Sequence, residues 1–240
     1  MKAIILAAGQ GTRLNDLTKN TPKCLLSLGE KTILDYQIDS LVKCGVDTVL
    51  VVTGFREDKV RDYLRKFHAK SLIIPIYNRL FKEKDNSYSL SLALEFIDSK
   101  IDTVIVLDGD ILFDIRILEK LIKSKHKNAL IADNHDNETK NEDCKILTVG
   151  GYVTGIGKKV SGQWKYGSMI KINGKFLFDF KEELKKERKE REWYSEPLNR
   201  ILKKQNNTIY PIMTNKLLRC EVDTKEDLSY AKEIAKLIKK

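Results

Sequence analysis

Apolar runs and amphipathic segments alternate along the first half of the chain. Short runs rich in β-branched residues predict buried strands, and they lie at 3–7, 48–52, 72–76 and 103–107. Between them, apolar residues recur at helical spacing, which predicts helices at 33–44, 58–67, 87–97 and 115–124. Because strands that alternate with helices pair in parallel through right-handed crossovers, we expect a doubly wound, mostly parallel α/β sheet. Ligands of such sheets bind beyond the carboxyl ends of the strands.

The pattern changes after residue 128. Strands are predicted at 129–132, 144–149, 152–156, 167–172, 208–213 and 217–222, and helices at 175–191, 196–204 and 225–239. Gly150-Gly151 predicts a hairpin turn, and the polar segment 133–143 predicts a surface loop. The sequence has neither an internal repeat nor a low-complexity linker. We therefore expect a single domain over residues 1–240, with a core at 1–128 and an α/β elaboration at 129–240.

Composition and charge narrow the class of partner. Hydrophobic residues make up 42% of the 240 residues, as in ordinary globular proteins, and the formal net charge is +10. A basic chain suits anionic partners. The basic stretches at 181–191 and 232–240 also carry glutamates and lack interleaved aromatic residues, which favours solvated helix faces over a nucleic-acid surface. Small phosphorylated molecules are therefore the expected partners.

The cysteines and the N-terminus bear on the compartment. Cys24, Cys44, Cys144 and Cys220 form no CxxC pair, so neither a zinc site nor a redox site is indicated. Free thiols fit a reducing cytoplasm. The apolar N-terminal run is too short for a signal peptide, and no stretch approaches the length of a membrane span. We expect a cytoplasmic protein without membrane insertion, either a monomer or a homodimer.

A glycine-rich loop follows the first strand. Gly9 and Gly11 allow backbone N–H groups to approach phosphate oxygens, and Arg13 adds a fork of donors suited to a triphosphate. The spacing matches neither a P-loop nor GxGxxG, and a tight strand-to-helix turn is the alternative. Lys23, preceded by Pro22, is placed to fold back over the same phosphates. Its ammonium would balance charge at the α-phosphorus, although a lone lysine is more often solvent-exposed.

Two pairs of carboxylates complete the candidate chemistry. Asp108 and Asp110 flank a glycine at a strand end, where unpaired carboxylates are costly and Mg²⁺ is a natural partner. We assign Asp110 as the metal ligand and Asp108 as its substrate-orienting neighbour; an Asp-Gly turn with capping carboxylates is the alternative. Glu221 and Asp223 share one face of a strand. Asp223 is either a second metal carboxylate or the N-cap of the last helix.

Two N-terminal motifs resemble the signature of the sugar-phosphate nucleotidyltransferase superfamily. These are Leu6-Ala7-Ala8-Gly9-Gln10-Gly11-Thr12-Arg13-Leu14 and Thr21-Pro22-Lys23-Cys24-Leu25-Leu26. The resemblance implies a Rossmann-like core with Mg²⁺ held by Asp110 and Asp223. It also implies catalytic roles for Arg13, Lys23 and Asp110. The implied nucleotide-binding residues are Leu6, Ala7, Ala8, Gly9, Gly11, Thr12, Arg13, Lys23, Asn86, Ser87 and Asp108.

Later motifs resemble the compact CTP-using branch, which includes phosphocholine, inositol-1-phosphate and aminoethylphosphonate cytidylyltransferases. They are Asn86-Ser87-Tyr88-Ser89-Leu90, Glu142-Asp143-Cys144-Lys145, Gly157-Lys158-Lys159, Trp193-Tyr194-Ser195-Glu196 and residues 221–228. The implied reaction is in-line attack of an acceptor phosphate or phosphonate on the α-phosphorus of CTP, with pyrophosphate leaving. Residues 129–240 would then supply the acceptor side and the closing metal strand.

The acceptor pocket is expected from that second half. Lys145 and either Lys158 or Lys159 would bind the acceptor phosphate, and Glu221 would lie beside it. The head group would be lined by Trp164, Tyr166, Trp193, Tyr194 and Glu196. Choline would suit an aromatic cage with an acidic neighbour, whereas inositol phosphate would need hydroxyl partners. The sequence does not choose between them.

Three other functions compete with a cytidylyltransferase. An NDP-sugar pyrophosphorylase that uses UTP, dTTP or GTP with a sugar-1-phosphate would share every phosphate-binding residue. A glycosyltransferase would explain Asp108-Gly109-Asp110 as an Asp-x-Asp metal motif but would leave Gly9, Arg13 and Lys23 unexplained. A regulatory nucleotide-binding module would be expected to lack the metal carboxylate or the lysine, and both are present.

Overall fold

The first half of the chain forms the predicted alternation of strands and helices. The computed structural model describes residues 1–67, 72–133, 143–186, 191–204 and 207–238. The strands are β1 (Lys2–Ala7), β2 (Thr48–Thr53), β3 (Leu72–Tyr77) and β4 (Thr103–Asp108). The helices are α1 (Ile33–Lys43), α2 (Glu57–Leu64), α3 (Asn86–Leu94) and α4 (Ile115–Lys123). Each of these strands and helices begins and ends within three residues of its predicted bounds.

The remaining elements, from residue 111 onwards, include more strands than helices. The strands are β5 (Ile111–Phe113), β6 (Ala129–Asp133), β7 (Lys145–Val149), β8 (Tyr152–Gly157), β9 (Trp164–Asn173), β10 (Tyr210–Met213) and β11 (Arg219–Glu221). The helices are α5 (Gly174–Lys185), α6 (Ser195–Leu202) and α7 (Lys225–Ile238). Short 3-10 turns at Thr12–Thr18 and Lys23–Leu25 lie between the glycine loop and α1.

Two predictions for these elements need correction. The helix expected over 175–191 ends at Lys185, because Lys186 has an extended backbone (φ −65°, ψ 119°). Residues 187–190 and Glu142 of the predicted motif lie outside the described part of the chain. The short strand β5 was not predicted, since three apolar residues carry no periodicity. The hairpin at Gly150-Gly151 is confirmed, with both glycines at positive φ between the antiparallel β7 and β8.

The central sheet is mostly parallel and joins both halves of the sequence. Its strand order is β10-β6-β9-β4-β1-β2-β3, with the β7–β8 hairpin attached to β9. Neighbouring strands pair in parallel except β9, which runs antiparallel between β4 and β6. The predicted mostly parallel α/β class is therefore confirmed. The division at residue 128 stays a prediction, although strands from both sides of it share this sheet.

Both faces of the sheet are buried, which explains the continuous apolar runs. Because successive side chains of a strand point to opposite faces, Ile4 and Val106 pack on one face and Ile5 and Leu107 on the other. The first face is covered by α3 and α5 and the second by α1, α2 and α4.

The two edge strands of this sheet, β3 and β10, carry Pro75 and Pro211. A proline is tolerated at an edge and hinders pairing with another chain. Among the described residues, no helix has the length and apolarity that crossing a bilayer requires.

A second, two-stranded sheet completes the architecture around the strand ends. β11 pairs antiparallel with β5, so that Glu221 lies opposite Ile111. The amide of Val222 donates to the carbonyl of Asp110 at 2.9 Å. This pairing brings the segment before α7 to the end of β4, where the Asp-Gly-Asp turn lies. The C-terminal carboxylates thereby reach the carboxyl edge of the main sheet.

A buried ion-pair network joins α5 to α6. Glu183 is 3% exposed, and its carboxylate accepts from Arg200 Nε at 2.7 Å and Lys186 Nζ at 2.5 Å. Lys204 lies 3.5 Å away. Burial alone would raise the pKa of Glu183, but the hydrogen bonds and charges of Lys186 and Arg200 outweigh it and lower the pKa to about 2. The ionised form is therefore the one that stabilises the fold.

Glu183→Gln should weaken this junction in a pH-dependent way. At neutral pH we expect a loss of about 1–3 kcal/mol in the free energy of unfolding, as for a broken charge-assisted hydrogen bond. Since the folded pKa is about 2 and the ordinary value is 4.5, the wild-type advantage is complete above 4.5 and disappears as the pH falls towards 2. Urea unfolding across this range measures the difference, and a pH-independent loss would contradict the assignment.

Candidate active site

The glycine loop after β1 is shaped to let Lys23 cross it. Gly11 has φ 73°, a left-handed conformation that favours glycine. A Cβ at Gly11 would lie 3.0 Å from Lys23 Cδ. Gly9, by contrast, has no heavy atom within 4 Å of an added Cβ, so the loop is open there. The hydroxyl of Thr18 donates to the Gly11 carbonyl at 2.8 Å and fixes the turn.

Lys23 lies between two carboxylates from distant parts of the chain. Its Nζ donates to Asp110 Oδ2 at 2.7 Å and to Asp223 Oδ1 at 2.6 Å. The side chain of Lys23 is only 10% exposed. Burial lowers the pKa of Lys23, but the two carboxylates outweigh it, so the ammonium stays charged. Arg13 Nη2 also donates to Asp223 Oδ2, at 2.9 Å. The four residues with the most specific predicted roles thus meet at one point.

Asp110, Glu221 and Asp223 form a compact set of carboxylates. Each offers an oxygen atom within 4.8 Å of the others. Asp110 Oδ1 is buried and has no hydrogen-bond partner among the described residues. Burial and the charges of Asp110 and Asp223 raise the pKa of Glu221 to about 7. Oxygen donors in this number, with one oxygen left unpartnered, fit a divalent cation such as Mg²⁺.

The capping alternative for Asp223 is wrong. The N-cap of α7 is Thr224, whose hydroxyl accepts from the Asp227 amide at 3.1 Å. Asp227 Oδ2 in turn accepts from the amides of Thr224 and Asp223, at 2.8 and 3.0 Å. The capping box is therefore shifted by one residue from the predicted one. The carboxylate of Asp223 faces Lys23 and Arg13 instead.

Asp108 is held by aromatic hydroxyls from the second half. Tyr194 Oη donates towards both carboxylate oxygens at 3.3 Å and lies 3.0 Å from Tyr166 Oη. Burial raises the pKa of Asp108 well above its usual range, and the charges of Asp110 and Glu221 add to this. Tyr166 and Tyr194 are each 3% exposed. Their position supports Asp108, and the predicted contact of these two residues with the acceptor stays a prediction.

A buried glutamine supports the Asp-Gly-Asp turn and was missed in the sequence. Gln37 Nε2 donates to the carbonyls of Asp108 and Ile111, both at 2.9 Å, from one side of the turn to the other. Gln37 is fully buried. The sequence did carry a signal for it, since Gln37 lies at helical spacing from Leu34 and Leu41. A polar residue within an apolar stripe requires a buried hydrogen-bond partner.

A cavity of about 430 Å³ opens beside the glycine loop. Its lining consists of Leu6, Ala8, Gly9, Gln10, Gly11, Thr12, Phe81, Lys82, Lys84, Asp85, Asn86, Ser89, Arg191 and Trp193. Half of these were named from the sequence as site residues; most of the others come from the segments before α3 and α6, which show no periodic pattern. Five predicted nucleotide residues are not in the lining: Ala7, Arg13, Lys23, Ser87 and Asp108. Ser89 is in the lining, and its hydroxyl accepts from Asn78 Nδ2 at 2.9 Å.

Two of the predicted acceptor residues, Lys158 and Trp193, are in contact next to this cavity. Lys158 Nζ lies 4.2 Å from the centroid of the Trp193 ring. Burial raises the pKa of the Cys144 thiol to about 12; the charges of Asp108, Glu221 and Glu196 act in the same direction and that of Lys158 opposes them. Lys158, Glu196 and Glu221 are therefore near enough to Cys144 for their charges to act on its thiol.

The remaining acceptor candidates lie further along the β7–β9 sheet. Lys145 begins β7 opposite Lys165 of β9. Lys159 follows Lys158 just beyond β8. Trp164 Nε1 donates to Thr148 Oγ1 at 3.3 Å, so the indole is held by β7. The structure therefore joins Lys158 to Trp193 and places Glu196 and Glu221 near Cys144.

Comparison with known proteins identifies the family. The family model described as Nucleotidyl transferase matches residues 2–141. This chain belongs to that family. The match covers the glycine loop, Lys23 and the Asp-Gly-Asp turn, and it supports nucleotidyl transfer rather than glycosyl transfer or a non-enzymatic role. The protein is thus a nucleotidyltransferase.

Several relatives of this nucleotidyltransferase act with CTP according to their names. A CTP:phosphoglutamine cytidylyltransferase of Campylobacter jejuni is 31% identical over 193 residues, which are 74% of this chain and 75% of the relative. A choline-phosphate cytidylyltransferase of Streptococcus pneumoniae is 39% identical over 95 residues, 40% of each chain. The solved inositol-1-phosphate CTP transferase from T. maritima has a TM-score of 0.83 at 22% identity, covering 100% of this chain and 96% of that one. This last likeness shows the Rossmann-like fold.

Substitution by alanine should destabilise the protein at Gly109 but hardly at Gly9, the two glycines near the strand ends. A Cβ at Gly109 would lie 2.6 Å from the Leu6 carbonyl oxygen and 2.9 Å from Ala7 Cα, both backbone atoms. Gly109→Ala should therefore lower the free energy of unfolding by about 1–3 kcal/mol. Gly9→Ala, in open space, should change it by less than about 0.5 kcal/mol. Chemical denaturation measures both, and equal losses would contradict the packing described.

Proposed function

We propose that this nucleotidyltransferase is a Mg²⁺-dependent cytidylyltransferase. It transfers CMP from CTP to a small phosphorylated or phosphonate acceptor and releases pyrophosphate. The carrying observation is the position of Lys23, whose ammonium lies within 2.7 Å of both Asp110 and Asp223 below the glycine loop. The choice of CTP is supported by the names of relatives that are 31% and 39% identical.

The nucleoside end of the substrate fits the cavity beside the loop. The volume of about 430 Å³ is in the range of sites for small ligands. Residues 9–12 line the same cavity, and Arg13 and Lys23 provide positive charge beyond it. A triphosphate lying along the loop would place its α-phosphorus near Lys23, where the ammonium neutralises charge that develops in the transition state.

The reaction requires little covalent participation by the protein. An acceptor oxygen forms a bond to the α-phosphorus while the bond from that phosphorus to the bridging oxygen breaks, and pyrophosphate carries away the electron pair. No enzyme-bound intermediate is needed. The residues contribute by holding two anions in line and by lowering their repulsion. Lys23 and Arg13 supply positive charge at the nucleotide, and Lys158 supplies it on the acceptor side.

Asp110 and Asp223 are the residues proposed to hold Mg²⁺, with Glu221 beside them. When bound, the ion neutralises charge between the α-phosphate and the leaving group. The unpartnered Asp110 Oδ1 and the clustering of three carboxylates support this assignment. Lys23 bonds one oxygen of each aspartate, so the ammonium and the ion would share the same carboxylate pair.

The acceptor is proposed to bind between Lys158, Trp193 and the acidic pair Glu196 and Glu221. Lys158 provides a phosphate partner, while the exposed face of Trp193 and a nearby carboxylate suit a cationic head group. Lys145 and the buried pair Tyr166 and Tyr194 complete the predicted acceptor set. A cytoplasmic location and a monomeric or homodimeric state stay predictions from the sequence.

A substrate panel tests the proposal. Pyrophosphate release should be fastest with CTP, and slower by at least about tenfold with UTP, dTTP or GTP, since base-specific hydrogen bonds give discrimination of that order or more. The acceptors to compare with CTP are phosphocholine, aminoethylphosphonate, inositol phosphate and sugar-1-phosphates. If a sugar-1-phosphate with UTP, dTTP or GTP were the best pair, the protein would instead be an NDP-sugar pyrophosphorylase.

Asp110→Asn and Asp223→Asn test the metal assignment. Each should reduce turnover by about 100-fold or more, because the transition-state charge loses its counter-ion. Each should also weaken Mn²⁺ binding, followed by electron paramagnetic resonance without substrate. Asp62→Asn, an exposed residue on α2, is the control and should change neither. Undiminished Mn²⁺ binding in both site variants would overturn the assignment.

A further inference from the structure

The ion-pair network at Glu183 extends towards the nucleotide cavity through Arg200. The guanidinium of Arg200 binds Glu183 through Nε at 2.7 Å. Its two terminal nitrogens bind both oxygens of Glu192, at 2.5 and 3.0 Å. The bidentate pair fixes the orientation of Glu192 as well as its distance. Arg200 thus joins a buried anchor on α5 to the segment 191–194, which precedes α6.

The opposite side of segment 191–194 is bonded to the start of α3. Arg191 pairs with Asp85 at 2.9 Å. The Glu192 carbonyl accepts from the Ser87 amide at 3.4 Å, and the Tyr194 amide donates to Asn86 Oδ1 at 2.9 Å. The segment therefore lies between two fixed elements, with Arg200 forming the side-chain contact to α6.

This segment contributes to two parts of the site. Arg191 and Trp193 line the cavity next to the glycine loop. Tyr194 Oη contacts Asp108, two residues before the proposed metal ligand Asp110. A change in the position of the segment would therefore alter the cavity wall directly. Among the described residues, Arg200 itself bonds Glu183 and Glu192 and does not line the cavity.

We infer that Arg200 is a positioning residue for nucleotide binding. Through Glu192 it sets the position of Arg191 and Trp193 at the cavity, while Glu183 holds Arg200 in place. This inference rests on the proposed binding of a nucleoside triphosphate in the cavity, but not on the identity of its base. A lysine cannot replace Arg200 fully, because a single ammonium lacks the fork that binds Glu183 and Glu192 together.

Steady-state kinetics on Arg200→Met and Glu192→Gln test the inference. The best nucleotide of the wild-type panel is used, so that a failure of the CTP proposal is seen separately in the wild type. Both variants should raise the KM for that nucleotide by about five- to tenfold, as expected for partial loss of a charge-assisted pair. The double variant should be no worse than the worse single one, since both changes break the same contact. Arg200→Lys should restore part of the loss.

Lys186→Met is the matched control. It removes another cation from Glu183 but leaves the contact between Arg200 and Glu192 in place. It should lower Tm while the KM stays at the wild-type value. A purely structural role for Arg200 would instead give a KM that follows Tm in all the variants, and this result would overturn the inference. An unchanged KM in Glu192→Gln would also overturn it, even if Arg200→Met does not fold.

Trp193 emission provides a readout that does not depend on turnover. The chain has two tryptophans, so Trp164→Phe leaves Trp193 as the single reporter. In that background, Arg200→Met should shift the emission to longer wavelength, because the indole loses its fixed position beside Lys158 and the cavity. Lys186→Met should not shift it. Identical spectra for the Arg200 variant and its parent would count against the inference.

Discussion

The contact of Lys23 with Asp110 and Asp223 is the interaction on which the site depends. It joins three segments that are far apart in sequence: the turn after the glycine loop, the end of β4 and the start of α7. Burying either carboxylate without a partner would cost free energy, and Lys23 is itself almost buried. The three groups satisfy one another only if all three segments are in place. Pairing of β5 with β11 is therefore as necessary to the site as the main sheet.

Sequence periodicity was sufficient for the parallel strands of the main sheet. Strand ends were predicted at Ala7 and Leu107 and lie at Ala7 and Asp108, because buried parallel strands leave continuous apolar runs. The pairing of β5 with β11 was not predicted, since three-residue strands carry no period. The role of Thr224 rather than Asp223 as the N-cap was also missed: both residues are good caps, and only tertiary contacts to Lys23 and Arg13 decide between them.

The site concentrates more carboxylates than its own cations balance. Asp110 and Asp223 bond Lys23, Asp108 and Glu221 lie close to Asp110, and Arg13 bonds Asp223 at the exposed end. Burial and mutual repulsion raise the pKa of Asp108 and Glu221, whereas Lys23 lowers that of Asp223 against the effect of burial. The charge on the carboxylates is thus unevenly distributed. It is concentrated on the side of Lys23, where a divalent cation would balance it.

The two halves of the chain meet at Asp108. From the first half, Gln37 holds its backbone carbonyl; from the second, Tyr194 holds its carboxylate. Tyr194 lies in the segment 191–194, which Arg200 connects to Glu183. Contacts on α5 and α6 are therefore linked through a continuous set of hydrogen bonds to the turn that carries Asp110. Because these bonds are short-ranged and partly buried, the second half of the sequence is able to determine the geometry of carboxylates that the first half supplies.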